Sequence, residues 1–485
     1  MIRYRLDDLG WFQFEWLCQS ILKNLYGLTL ESWGGHSDRG RDAFCSHALE
    51  FPTKDRQESG PFVFQAKFIE NANAAGADPA PAIRSAVQKE CKHIKDRNLK
   101  PDVGELKHYV LLTNSPVSAT LRITLETAIK AELPQCNVSI QAANDICSIL
   151  DGLPAIRVAF PQLLGIRDFQ NLLQEVISKP ILERSSLELK EAEEAARVFV
   201  PTGPYIKALE ILRKNHFLVL TGPPEMGKTV IARIIGLAKL AEQWECIECT
   251  RPIDFLTTVK EHQRQVFIAD DAFGTTEYNP NITFEWSADL PRVLRRLDNN
   301  HWFIWTSRPA PLKRALEKMH LQGPATNFPK AGECIVETGL LKEREKALIL
   351  YRHAKAAGLS TKAKSALKQR VKTIYSHNHF TPLRISHLIR AYVKIDHQQD
   401  PETLCAEVDK LIRTVMEVPT ESMQKSYSAL DDPHRQLLIS LLDVDNLSLD
   451  QISASFGRHG ANDVQTAPET LVDHLAEHFI RGASE

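Results

Sequence analysis

HFLVLTGPPEMGKTVIARIIG, residues 216–236, sets an apolar run before the pattern Gly222-x-x-x-x-Gly227-Lys228-Thr229 and follows it with an amphipathic, helix-forming stretch. Strand, glycine-rich turn and helix in that order give the motif a mechanism. The turn aims backbone N–H groups at phosphates, and the helix adds the positive end of its dipole. Gly222, Pro223 and Gly227 then shape the loop, Lys228 reaches the β- and γ-phosphates, Thr229 ligates magnesium and Val230 continues beside the nucleotide. A Gly/Pro turn with a chance Lys-Thr is the plain alternative, and the agreement of strand, motif and helix argues against it. Further on, QVFIADD closes a second buried run in Asp270-Asp271. One carboxylate there can hold magnesium while its neighbour orients the attacking water, and Asp270 is the metal candidate. A turn-capping Asp pair before Gly274 is the competing explanation. HWFIWTSRP ends a third run in Thr306-Ser307-Arg308, which puts Arg308 near the edge where open α/β sheets bind nucleotides; a surface Arg closing a strand competes.

The surrounding pattern alternates strands (216–220, 244–250, 265–270, 301–306) with helices, which is the signature of a parallel sheet with crossovers. After Pro309 the chain reads as helical almost throughout. Before it, residues 1–150 read as a smaller α/β unit. It opens with a helix from Asp7 to about Leu25, placing Leu9, Phe12, Leu17 and Ile21 on one face, followed by short strands at 28–33, 41–46, 62–68, 108–113 and 137–141. The fold class is α/β: an N-terminal α/β domain (1–160), a helical linker (161–197), a central P-loop parallel-sheet NTPase (198–315), an all-helical lid (316–400) and a helical C-terminal domain (401–485).

A chain of 485 residues suggests about three domains at ~150 residues each. With 59 basic and 61 acidic residues the net charge is -2, so any nucleic-acid contact must come from a local patch. No stretch approaches the ~20 apolar residues of a membrane helix and the N-terminus lacks a signal-peptide layout, so no membrane partner and a cytoplasmic location are expected. The odd set of nine cysteines fits reduced core thiols, and Cys246-x-x-Cys249 has no second pair at zinc spacing. His353 and the pair His377 and His379 have no carboxylate or cysteine partners at ligand spacing, and packing or lid contacts suffice for them. Arg292, Arg295 and Arg296 are weighed as arginine fingers to a neighbouring subunit against a solvated helix face.

In the N-terminal unit, WGGHSDRGRDAFCS followed by FVFQAKF places Asp42 on one strand and Gln65-x-Lys67 on the next, with Glu15 on the preceding helix. These are parts of a metal-dependent phosphodiesterase. Asp42 and Gln65 would hold magnesium, and Lys67 would position the water or stabilise the developing charge. Gln65 and Lys67, two residues apart, share a strand face. Charged ends of ordinary strands give the same string. A helix carrying Lys89, Lys92, His93, Lys95, Arg97 and Lys100 would track a phosphate backbone, although such runs are more often solvated faces.

The set FVPTGPY, GPPEMGKT, FIADDAFG, WTSRP and NHFTPLRI resembles STAND-type NTPases, the signal-transduction branch of the AAA+ class, such as those of bacterial anti-phage defence proteins, over about residues 198–400. The resemblance implies that Val200 to Thr202 lie beside the base, that Arg308 senses the nucleotide, and that Pro382 belongs to a helical lid touching it. It also implies a switch driven by ATP between a closed monomer and an active oligomer, a tetramer among the candidates. Many relatives continue into a winged helix and a repeat sensor. SYSALDDPHRQLLISLL (426–442) reads as the start of the first, and no internal repeat suggests the second, so a separate sensor protein or phage-derived trigger is the expected activator.

FEWLCQSILKNLYG, GGHSDRGRD and VFQAK resemble the Mrr-like branch of PD-(D/E)xK restriction endonucleases over roughly residues 7–150. That resemblance implies Asp42 rather than Asp38 as the catalytic Asp, accepts Gln65 where Glu is usual, and leads us to assign Glu15 as the compensating carboxylate. Together the two resemblances imply an ATP-regulated, magnesium-dependent endonuclease acting on double-stranded DNA. The alternatives are a nucleotide-gated DNA-binding or signalling protein without cleavage, and a type IV restriction enzyme with a DNA-stimulated NTPase.

Overall fold

The computed structural model describes residues 4–27, 31–32, 43–51, 56–96, 106–160, 163, 177–274, 278–319, 331–420, 423–424, 427–428, 430–441, 448–458, 471–472 and 475. Asp42 and Asp38 lie outside the described residues. The chain divides into two compact units, Met1–Val176 and Ile177–Glu485.

In the first unit the run HYVLLT is buried at every position, as a central strand covered on both faces must be. It forms β6 (His108–Thr113), parallel to β5 (Phe62–Lys67) on one side and β7 (Asn137–Gln141) on the other. The sheet continues antiparallel from β5 through β2 (Ala43–Cys45) to β1 (Glu31–Ser32), giving the order β1-β2-β5-β6-β7. A hairpin of β3 (Leu49–Glu50) and β4 (Gln57–Glu58) stands apart from it. The first helix is Gly10–Tyr26, preceded by a 3-10 turn, Leu6–Leu9. The rings of Tyr26 and Phe64 stack 6.0 Å apart, which puts this helix on the face of β5 that carries the even-numbered side chains. Helices Ala80–Asp96 and Ala119–Glu132 take the other face, where Ile83, Val87, Leu121 and Leu125 close a core over Val63, Tyr109 and Leu111.

In the second unit five parallel strands run in the order β12-β8-β11-β10-β9. They are β8 (Phe217–Thr221), β9 (Glu245–Glu248), β10 (Gln265–Ala269), β11 (His301–Ser307) and β12 (Ile335–Glu337). Every residue of β8, β10 and β11 is buried, and the rings of Trp286, Phe303 and Trp305 interlock at about 5 to 6 Å beneath them. The helix Lys228–Ala241 packs so tightly on the sheet that a Cβ on Gly236 would fall 2.7 Å from Cys246 Sγ. β12 corrects the expectation of helix after Pro309: three residues inside the stretch assigned to an all-helical lid complete the sheet beside β8. A strand that short is below the length at which alternation can be read from sequence.

Beyond β12 the helices Glu343–Ala356, Thr361–Gln369, Val371–Tyr375, Pro382–Val393 and Pro401–Leu411 enclose a second core around Leu367, Ile385, Leu388, Tyr392 and Val408. A π-helical turn, Ile412–Glu417, follows. Helices Asp432–Ser440 and Leu449–Arg458 join a small cluster with Leu437, Ile452 and Phe456. No strand occurs after Glu337 among the described residues, so the wing of the expected winged helix is not among them.

Candidate nucleotide site

The buried β8 delivers the chain to Gly222 at the carboxyl edge of the sheet, where ligands of open α/β folds collect. Gly222 has φ +146, and a Cβ there would lie 2.5 Å from both Glu337 Oε1 and Thr338 Oγ1, so only glycine lets the loop pass the end of β12. Gly227, at φ 83, caps the helix Lys228–Ala241 in the left-handed region. Lys228 therefore starts that helix. Its Nζ donates to Gly222 O at 2.8 Å and Pro223 O at 2.9 Å.

β10 ends in the acidic pair. Thr229 Oγ1 stands 2.8 Å and 3.0 Å from the carboxylate oxygens of Asp270. Thr306, fully buried on β11, donates to Asp270 Oδ1 at 2.5 Å and accepts from Asp271 N at 2.9 Å. The sequence placed Thr306 at a strand end without assigning it work. Here it fixes the orientation of both acidic residues. Asp271 sits at φ 45, which turns its carboxyl away from the strand direction.

The electrostatics of the site are those of charges drawn out of water. Burial, with Asp270 adding to it, pushes the Asp271 carboxyl up to about 6, against the opposing pull of Arg308 and Lys228. Burial likewise pushes the Lys228 ammonium down to about 8, offset by Asp271 and by Asp270. Arg308, which caps the helix Pro309–Lys318, is lowered by burial and stabilised by Asp271 and Glu225. Lys228, Asp271 and Arg308 thus sense one another across a single space.

That space is a cavity of about 580 Å³, within the range of small-molecule sites. Thr229, Val230, Asp271 and Arg308 line its phosphate end, and Val200, Thr338 and Pro382 line it elsewhere. The segment carrying Val200 and Thr202 is pinned from below, because Gly203 N donates to Glu345 Oε1 at 2.6 Å. His353, set aside on sequence grounds, lines the cavity too. Burial, with Arg390 and Arg352 nearby, lowers its pKa to about 4, so at neutral pH it is an uncharged wall of the site. Its position two turns above Glu345 on one helix was the available signal. Hard oxygen donors from Thr229 and Asp270 lie side by side and suit magnesium, which keeps several waters and phosphate oxygens as its remaining ligands. Cys246 and Cys249 are buried thiols with raised pKa values, as core cysteines are.

In the other unit, Gln65 and Lys67 fall on the face of β5 turned to the helix Ala80–Asp96. Lys67 Nζ pairs with Glu90 Oε2 at 2.7 Å, and the Tyr109 hydroxyl donates to Glu90 Oε1 at 3.1 Å. Glu90 is 4% exposed and Gln65 4%. Glu15 lies on the helix Gly10–Tyr26, which packs on the opposite face, with Gln19 Nε2 3.4 Å from its carboxylate. The carboxylate brought to Lys67 is thus that of Glu90, which the sequence reading missed. Glu90 continues the spacing of Ile83 and Val87 along the buried stripe of its helix, and a carboxylate on such a stripe was the signal. No group of three or more His, Cys, Asp or Glu side chains is placed to share a metal among the described residues. Lys89 and Lys92 are exposed; the side chains of His93, Lys95, Arg97 and Lys100 lie outside the described residues. No helix among the described residues is long and apolar enough to cross a membrane.

Residues 199–356 match the model of the family described as Novel STAND NTPase 3. No curated protein matches the chain. Among solved structures, the Walker-type ATPase PABY2304 of Pyrococcus abyssi is similar at 12% identity over 57% of this chain and 89% of its own, with a TM-score of 0.39. The PCH-2 protein of C. elegans is similar at 12% identity over 49% of this chain and 72% of its own, TM-score 0.29. The FIGL-1 AAA domain in complex with ADP is similar at 12% identity over 51% and 88%, TM-score 0.28. With the P-loop, the paired aspartates and the family match falling on the same residues, the region 199–356 is a STAND-type P-loop NTPase module.

Proposed function

We propose that the chain is an ATP-dependent switch whose N-terminal unit is a magnesium-dependent endonuclease for double-stranded DNA, used in anti-phage defence. The observation that carries the nucleotide half is the convergence of Lys228, Asp271 and Arg308 on one cavity beside the Thr229 and Asp270 pair. Lys228 holds the β- and γ-phosphates of ATP, and Arg308 meets the charge that builds on the γ-phosphate. Asp271 takes the proton of the attacking water, a task suited to a carboxyl raised to about 6. Magnesium, when bound by Thr229 and Asp270, supplies neutralisation of the phosphate oxygens. Val200 and Pro382 flank the base. Occupancy favours self-association, and a sensor protein or phage-derived trigger sets when that occurs.

For the N-terminal unit, the arrangement of Gln65 and Lys67 on one strand face supports the nuclease reading. Asp42 and Gln65 would hold the metal, and Lys67, whose ammonium pairs with Glu90, stabilises charge on the scissile phosphate. One observation favours a second reading, a domain that grips DNA without cutting: the same Glu90 pair engages Lys67. Plasmid incubated with magnesium, with wild type and with Lys67→Ala, separates them. Nicking or linearisation lost in the variant supports the nuclease; retardation of plasmid by both proteins with no cutting by either supports the binder.

A further inference from the structure

Glu225 stands inside the phosphate loop at φ 66, a left-handed backbone that glycine adopts freely and glutamate does not. It borders the nucleotide cavity, its carboxylate acts on Arg308 there, and its side chain is 2% exposed. A buried carboxylate in a strained position calls for partners, and these come from two separate parts of the helical bundle. Thr381, which caps the helix Pro382–Val393, donates to Oε2 at 3.1 Å. Arg384, one turn into that helix and 3% exposed, lies 3.8 Å from the same oxygen. Thr420, at the exit from the π-helical turn, donates to Oε1. Arg384 then reaches past Glu225 to the exit itself, where its Nη1 donates to the carbonyls of Val415, Met416 and Val418.

We infer that Glu225 is the coupling residue of the switch: it transmits the position of the phosphate loop to Arg384 and Thr420, and so to the chain that leaves the bundle after residue 417. The reasoning is geometric. A loop that wraps phosphate moves as a unit with residue 225, because Gly222 to Pro224 before it and Met226 to Thr229 after it complete the cradle. A loop shift that turns Glu225 breaks or makes a buried charged pair and two hydroxyl bonds together, and such a set has two discrete arrangements rather than a continuum. The π-helical turn adds to this, since an under-wound segment whose carbonyls are held by one guanidinium is a place where a helix can change register. The exit segment is thereby tied to the nucleotide without touching it, which satisfies the requirement for two sites and one bistable element between them.

This coupling rests on the nucleotide reading, and the experiment separates the two. Hydrogen exchange of the full chain is followed with and without ADP or ATP and magnesium, alongside calorimetric nucleotide binding, for wild type, Glu225→Gly, Thr420→Val and Lys228→Ala. In wild type, nucleotide slows exchange in 382–393 and 412–420. At nucleotide concentrations saturating by each variant's own calorimetric affinity, Glu225→Gly, which takes the left-handed backbone without a Cβ penalty, loses that slowing. Thr420→Val, nearly isosteric, weakens the slowing by less, and adding it to Glu225→Gly changes nothing further, since both act through one contact set. If Glu225→Gly fails to fold, Thr420→Val carries the test. Full nucleotide-dependent slowing in either variant, or none in wild type, overturns the coupling. Lys228→Ala binding nucleotide as tightly as wild type overturns the site reading beneath it.

Discussion

The two units carry their chemistry in opposite ways. In the nucleotide unit each working group follows a buried strand: Lys228 and Thr229 open the helix reached from β8, Asp270 and Asp271 come after β10, Arg308 after β11. Parallel register brings those ends to one edge, so residues far apart in sequence meet because of backbone topology alone. In the N-terminal unit, β5 contributes Gln65 and Lys67, but the carboxylate beside Lys67 comes from a helix, through Glu90. A site that depends on strand ends survives in the linear pattern; one completed by a side chain from a helix face does not.

The contrast predicts failures that pass from the nucleotide unit to the N-terminal unit and not back. The largest effect should follow Lys67→Ala, which lowers magnesium-dependent plasmid cleavage on the order of 1,000-fold by removing charge stabilisation at the scissile phosphate, with calorimetric ATP affinity unchanged. Loss of ATP affinity in that variant breaks the division between the units. Next, Lys228→Ala should weaken ATP binding on the order of 100-fold, the loss of charge-assisted contacts to phosphate.

Thr306→Val sharpens the comparison, because it touches no phosphate in this account. It removes the hydroxyl that orients Asp270 and Asp271 while keeping the shape of β11. Steady-state hydrolysis should fall by about tenfold with nucleotide affinity nearly kept, as expected when a general base is misaligned. An equal loss in affinity and turnover would assign Thr306 to binding instead.

The pH profile follows from the same charges. Asp271 must be ionised to accept a proton, and its pKa is raised to about 6, so kcat/KM should climb as pH rises through about 6. Lys228 must be protonated to hold phosphate, and its pKa is lowered to about 8, so kcat/KM should fall as pH rises past about 8. A flat profile between these limits contradicts the roles given to both. The smallest effect concerns Glu90→Gln, which leaves Lys67 facing a neutral amide. It should cost roughly 1 to 3 kcal/mol in urea unfolding, the range for weakening a buried charged pair.

How much of this was legible follows from period and length. The motif at 222–229 and the runs that became β8, β10 and β11 were readable because each is a continuous apolar stretch ending in punctuation. β12 was not, since Ile335–Glu337 offers too few residues for a pattern and acquires its strand character only by pairing with β8. The polar buttress of Thr306 was equally hidden, because it acts through neighbours that only the fold supplies. In the N-terminal unit Glu15 was assigned to compensate for Gln65 at the metal, and the alternation of β5 puts Gln65 and Lys67 on the face away from the helix that bears Glu15.

The claim that nucleotide at Lys228 governs the N-terminal unit is tested most directly by measuring mass by light scattering and plasmid cleavage on the same samples, wild type and Lys228→Ala, with and without ATP and magnesium. The account predicts that ATP raises both the mass and the cutting of wild type and neither in Lys228→Ala. Cutting by Lys228→Ala at the wild-type rate, at a mass that ATP does not change, would contradict it.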